Sequence, residues 1–223
     1  MPVFLLFALS SHGSALAVPD GPARESEVRT LRMNGAKLKK FLEYSARYYN
    51  TFRPGDLTVS FNPRIRFYLC DMFEGINYEI NLGKEPGSRI ENLTWADSTP
   101  VKDDDEFTLK VSGYRVNSCL LVPGMVYELD DLPILLDVDV RGDLGGIREL
   151  IGDYILNVKG GIVTADCNHN RAITGCEWEE DLHALAVELL SEGMLTIPPS
   201  VDDRIINTVP ITVDDLPEEM PAA

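Results

Sequence analysis

Leu69-Cys70-Asp71-Met72-Phe73-Glu74-Gly75-Ile76-Asn77-Tyr78-Glu79-Ile80-Asn81-Leu82 is the stretch on which the fold reading turns. Beyond Gly75, the apolar side chains of Tyr78, Ile80 and Leu82 alternate with polar Glu79 and Asn81. A period of two residues marks a strand with one buried face. The same period holds through Phe107, Leu109 and Val111, and less strictly through Ile90, Leu93 and Trp95. Pro86-Gly87 and Lys102-Asp103-Asp104-Asp105-Glu106 supply turns between these runs. Residues 64–114 are therefore expected to form an antiparallel sheet whose consecutive strands pair through short connections.

Outside that region the period lengthens. Val28-Arg29-Thr30-Leu31-Arg32-Met33 still alternates as a short strand, and Asn34 then stands where an N-cap belongs. The helix it opens spans residues 36–49, with Leu38, Phe41, Leu42, Ser45, Tyr48 and Tyr49 on one face, a stripe suited to core packing. Residues 115–143 read as irregular. Ile147, Leu150, Ile151, Tyr154, Ile155 and Val158 mark a second helix, capped by Asp143 and stopped by Gly160-Gly161. A third helix over 177–191 turns Leu182, Leu185, Ala186, Leu189 and Leu190 inward and stops at Gly193. The Pro-rich, acidic tail beyond it is expected to be extended or partly disordered. The fold class is α+β, mainly an antiparallel sheet with helices packed on it. The organisation is a signal-like segment and linker at 1–26, a domain over 27–175, and a helix with an acidic tail at 176–223.

At 223 residues, 44% hydrophobic and 25% charged, the chain suits one globular domain. Its formal charge of −16 argues against nucleic acid and anionic lipid as partners, since both require a basic surface. A mononucleotide needs only a few local cations, so it is not excluded. Val3-Phe4-Leu5-Leu6-Phe7-Ala8-Leu9 followed by Ala15-Leu16-Ala17 has the outline of a secretory signal at 1–17, but no Lys or Arg precedes the apolar run. The run is also too short to span a bilayer. Export and a non-native start left by loss of upstream coding sequence both stand. Cys70, Cys119, Cys167 and Cys176 are even in number and form no C-x-x-C pair. Cys167 and Cys176, flanking a loop-like segment, are the pair best placed for a disulfide; buried free thiols are the alternative.

Familiar catalytic patterns are missing. The three histidines, His12, His169 and His183, are too few for a dinuclear phosphoesterase site, and Asn168-His169-Asn170 lies in a loop after the second helix. Asp137-Val138-Asp139-Val140-Arg141-Gly142-Asp143 begins like a calcium loop, but Arg141 and Arg148 occupy positions that require oxygen ligands. No G-x-S-x-G or paired Cys/His signature is present. Asn92-Leu93-Thr94 is a glycosylation acceptor by pattern.

Several motifs together resemble the C-terminal, nucleotide-binding domain of the 5′-nucleotidase and 2′,3′-cyclic-nucleotide phosphodiesterase family. The segment from Leu69 to Leu82 is similar to its strand-turn-strand unit. Arg32-Met33-Asn34-Gly35-Ala36-Lys37-Leu38-Lys39-Lys40-Phe41-Leu42-Glu43 resembles its M-T-G-x-x-L-x-x-x-L-E helix start, and Pro86-Gly87-Ser88-Arg89-Ile90 its P-G-x-R-I turn. Tyr114-Arg115 resembles its N-x-Y-R strand end, with Gly113 where the family has Asn, and residues 147–161 its closing helix and glycine turn. The resemblance covers about residues 28–175.

What the resemblance implies is nucleotide binding in support of phosphate-ester hydrolysis. The family's catalytic metallophosphoesterase domain, which uses two divalent metals, is not in this sequence, so no catalytic residue, metal ligand or cofactor is expected here, nor activity of the chain alone. The implied substrate contacts are Arg115, Tyr114 and Asn117, with a structural salt bridge as the other reading of Arg115. The family's glycine-rich loop with its stacking aromatic is replaced by Val116-Asn117-Ser118-Cys119-Leu120-Leu121-Val122-Pro123-Gly124, where Tyr127 could substitute only if the loop folds back. A further family segment ahead of the M-T-G helix, bearing the other aromatic and the arginines, is also not in the sequence. The implied partners are a nucleotide or nucleoside and a separate phosphoesterase domain, in an extracellular or cell-surface location. An exposed strand at the truncated edge would favour a homodimer. The alternative is a non-catalytic binding or interaction module that kept the fold without the nucleotide site.

Overall fold

The computed structural model describes residues 3–5, 27–138, 140–141, 143–164, 167–197 and 207–217. They fall into two compact units, the first comprising Met1–Leu42, Asp71–Tyr78 and Asn92–Arg171, the second Glu43–Cys70, Glu79–Glu91 and Ala172–Ala223.

In the first unit, β1 (Val3–Leu5), β2 (Val28–Asn34), β5 (Glu106–Ser112) and β6 (Ile134–Asp137) form a sheet in the order β1-β5-β2-β6. Val3–Leu5, inside the signal-like run, pair in parallel with β5. β2 and β5 pair antiparallel over their full lengths, from Val28 opposite Ser112 to Asn34 opposite Glu106. That register puts Leu31 and Met33 beside Leu109 and Phe107 on one buried face.

α1 (Gly35–Ala46) leaves β2 directly. Its first N–H groups are all satisfied: Lys37 donates to the Asn34 side chain at 3.0 Å, while Gly35 and Ala36 donate to the carbonyls of Asp105 and Asp103. Gly35 is required sterically, because a Cβ there would meet the Lys102 carbonyl oxygen at 2.0 Å. Leu38 and Phe41 are buried, and the Phe41 ring meets Phe73 edge-on at 5.1 Å between centroids. Burying a ring of that size contributes about 1.5–3 kcal/mol.

The expected meander of consecutive strands is only partly present. β3 (Ile76–Asn81) and β4 (Ile90–Trp95) do pair, in a separate sheet of order β4-β3-β7 with β7 at Arg171–Thr174. β5 leaves that pattern and joins β2, because the apolar stripe of Phe107, Leu109 and Val111 matches the whole length of β2. β6 lies in a stretch expected to be irregular. Its apolar run is too short to show a period, and it sits between Pro133 and Asp137.

α3 (Ile147–Asp153) continues as a wider π-helical turn over Tyr154–Val158 and ends before Gly160 and Gly161, as expected. No residue of α3 or its π turn is buried. One expectation fails here. Asp143 does not cap the helix: it is held by Arg141 Nε at 3.1 Å, and Gly146 occupies the capping position.

In the second unit, α4 (Glu180–Ser191) ends before Gly193 and buries Ala186 and Leu189. Ala186 packs with Leu57 and Ile211, flanked by Trp178, Leu182, Leu190, Leu195 and Leu216. Residues 207–217 of the acidic tail thus take part in the packing of this unit. Leu57 N–H donates to Ile211 C=O at 2.6 Å, and Thr212 bridges Asp56. Isolated apolar side chains among Asp and Pro carry this packing, and mean composition hides them.

Arg89 organises the same unit from a fully buried position. Its Nη1 donates to the carbonyls of Ala46 and Tyr49 at 2.9 and 2.7 Å, Nε to Lys84 C=O, and Nη2 to Thr51 Oγ1. Glu43 accepts from the backbone N–H groups of Arg89 and Ile90. Arg89 therefore ties the carbonyl of Ala46, the last residue of α1, to that of Tyr49 in the turn beyond it, and the helix stops at Ala46 rather than at residue 49.

All four cysteines are free thiols. The Cys167–Cys176 disulfide does not form, because β7 runs extended between the two positions. Cys167 is exposed and Cys119 buried.

Candidate functional site

β5 ends at Ser112, whose hydroxyl accepts the Arg115 N–H and starts α2 (Gly113–Arg115), which runs on as a π-helical turn over Val116–Leu120. Gly113 N–H is tied to Glu27 C=O at 2.7 Å, fixing where the turn begins. Its curvature divides the three expected contact residues. Arg115, Val116, Cys119 and Leu120 turn inward, while Tyr114 and Asn117, three positions apart, face out.

Arg115 is 3% exposed and forms an ion pair with Asp71. Its guanidinium also lies 5.7 Å from the Phe41 ring centroid. Burial pushes the Asp71 carboxyl up to about 6, against the opposing pull of the Arg115 charge and hydrogen bond. In this arrangement Arg115 has the structural salt bridge that was its other reading from the sequence.

On the outer side, Tyr114 is 37% exposed. Asn117 Oδ1 accepts a hydrogen bond from Arg29 Nη1 at 2.9 Å, and Arg29 Nη2 reaches Glu27 at 3.3 Å. Arg29 therefore stands where the sequence reading placed Arg115, as the cation next to Asn117. The signal for it was present but unused: Arg29 shares the strand face of Leu31 and Met33, where a charge must have a polar destination. Tyr127 is no substitute aromatic, being 2% exposed with its hydroxyl bound to Lys37 C=O at 2.8 Å. Burial pushes that hydroxyl's pKa strongly upward.

Among the described residues, no group of three or more His, Cys, Asp or Glu side chains is arranged to hold a metal ion. His169 lies 3.7 Å from Cys167 Sγ, and Asn168 donates to Glu74. His183 stacks on Trp178 and contacts Leu57 C=O at 2.7 Å. No helix among the described residues is long and apolar enough to cross a membrane.

The family model described as 5′-nucleotidase, C-terminal domain, matches residues 23–122, which include β2, α1 and the Tyr114–Asn117 turn. Over that stretch the chain is similar to the 5′-nucleotidase C-terminal domain family. A Staphylococcus aureus protein described as a 5′-nucleotidase, solved in complex with α-ketoglutarate, has a similar fold with a TM-score of 0.50 at 23% identity. The match covers 67% of this chain and 28% of that one. A 5′-nucleotidase precursor from Thermus thermophilus matches at TM-score 0.47 and 14% identity, over 67% of this chain and 25% of its own. The sulfate thiohydrolase SoxB of the same organism, in complex with glycerol, matches at 0.42 and 17%, over 70% and 24%. The chain spans about a quarter of the length of these structures. No curated protein sequence matches it.

Proposed function

We propose that this 5′-nucleotidase C-terminal domain segment binds a nucleotide or nucleoside in support of phosphate-ester hydrolysis carried out elsewhere, by a metallophosphoesterase domain. The observation that supports it most is the outer side of the β5–α2 turn, where an exposed Tyr114 lies three residues from Asn117 and its bonded Arg29. A tyrosine ring offers a flat face for a base, and a guanidinium with an amide offers polar contacts to a ribose or phosphate. In a chain of charge −16, such a local cation is what an anionic ligand requires. The setting by family is extracellular or at the cell surface.

The test is a thermal-shift titration with adenosine, AMP and a 2′,3′-cyclic nucleotide. At a ligand concentration one hundred times Kd, stabilisation is about 2.7 kcal/mol. Tyr114→Ala and Arg29→Ala should each abolish the shift while leaving a cooperative melt. If the wild-type melt does not move up to millimolar ligand, the reading fails. The second reading, an interaction module without a nucleotide site, then stands in its place. It is favoured by the engagement of Arg115 with Asp71 and by the non-glycine loop that follows.

A further inference from the structure

β6 ends the four-stranded sheet, and among the described residues its backbone hydrogen bonds run only to β2. Ile134 and Leu136 are 51% and 50% exposed, and Val138 just past the strand is 55% exposed. An open edge carrying apolar side chains is a template for another strand. The edge also has a specific shape. The β2–β6 register shifts between Thr30 and Leu31, so that Ile134 faces Arg32, Leu135 faces Leu31 and Asp137 faces Thr30. The bulge leaves Leu136 without a cross-strand partner and brings Ile134 and Asp137 to one face of the sheet, which regular alternation would forbid.

The charges make this edge self-complementary. Arg32 has no ion pair or hydrogen bond among the described residues, and it lines a cleft of about 110 Å³ together with Ile134. We infer that β6 is a dimerisation edge on which a second copy of this chain lays its own β6 antiparallel, each Arg32 pairing with Asp137 of the other copy. Only one antiparallel register gives every residue of β6 a partner, with Ile134 opposite Asp137 and Leu135 opposite Leu136. In it, Asp137 of the second copy lies two strand spacings, about 9.6 Å, from Arg32 on the same face. Arg32 crosses that gap by lying along Ile134, with its stem on the apolar surface and its charge at the far end. The twofold repeats the contact, giving two ion pairs around the apolar Ile134 and Leu136. A four-residue edge is at the small end of interfaces, so the dimer depends on concentration. The inference uses none of the residues of the nucleotide reading and stands or falls separately from it.

Sedimentation velocity of the full chain over a concentration series tests it. The expected result is a shift from the 24.8 kDa monomer to twice that mass in the high-micromolar range. Leu136→Lys, at a half-exposed site that tolerates polarity, should leave a folded monomer. Arg32→Glu should weaken association at least about tenfold by setting like charges together. Arg32→Glu combined with Asp137→Arg should restore it. A wild-type chain that stays monomeric overturns the inference, as does a dimer that survives Leu136→Lys. A charge reversal that the double variant does not rescue overturns the register.

Discussion

Arg115 and Asp71 form an ion pair in which the two side chains are 3% and 0% exposed. Removing one partner strands the other charge in an apolar setting, which costs about 3–5 kcal/mol. Arg115→Ala should therefore lower the unfolding free energy by that amount in urea titrations. Replacing both, as Asp71→Leu with Arg115→Met, should cost far less than the sum of the single changes. An Arg115→Ala variant within about 1 kcal/mol of wild type would mean that the pair is not buried in solution.

The same pair gives the protein a pH signature. Asp71 holds its proton up to about 6 in the fold, against an ordinary value of 3.8. The folded state thus binds the proton more tightly. Asp71's contribution is fully present below the unfolded value and is lost as pH rises through about 6. Several surface carboxylates, among them the exposed Asp97 and the half-buried Asp105, are lowered by hydrogen bonds and act in the opposite sense, losing stability only as pH falls toward their own low values. Melting temperature should consequently rise on going from neutral pH to about 5, and fall again in stronger acid. Comparison with Asp71→Asn isolates the group. If the variant keeps the same slope between neutral pH and 5, Asp71 is not its source.

Arg89 carries a prediction that depends on shape as well as charge. Its planar fork serves four separate acceptors at once, two of them the carbonyls of Ala46 at the end of α1 and of Tyr49 in the turn beyond it. Lysine has the charge without the fork and cannot reach all four. Arg89→Lys should lose at least about 2 kcal/mol and Arg89→Ala more, since buried acceptors are left unsatisfied. Equal stability of Arg89→Lys and wild type in chemical denaturation would show that the charge alone suffices.

How far the sequence carried the fold follows from which forces act locally. β2, β3 and β5, the Asn34 cap and the glycine stops of the second and third helices were legible, because alternation and capping are written in neighbouring residues. β6 was not, since a short apolar run becomes a strand only when β2 offers its edge. The site divided in the same way. Tyr114, Arg115 and Asn117 could be assigned to one turn, but which of them faces out depends on its helical curvature. It also depends on Asp71, far off in sequence, which receives the Arg115 charge. Arg29 was overlooked because an arginine on an apolar strand face is informative only once its far end is known to meet Asn117.

The tail shows this limit most clearly and yields the last prediction. Ile211 is 4% exposed and packs against Leu57 and Ala186, while its carbonyl accepts the Leu57 N–H. Thr58 Oγ1 accepts the Ile211 N–H at 2.9 Å, so the residue is fixed through both side chain and backbone. Truncating a side chain packed in this way leaves a cavity, and Ile211→Ala should cost about 2–5 kcal/mol. The loss should also appear locally, as faster amide exchange at Leu57, whose bond to Ile211 would open. Val213 is 40% exposed, so Val213→Ala should change stability by less than about 1 kcal/mol and serves as the control. Equal, small effects of the two substitutions would mean that the tail does not rest on α4 in solution.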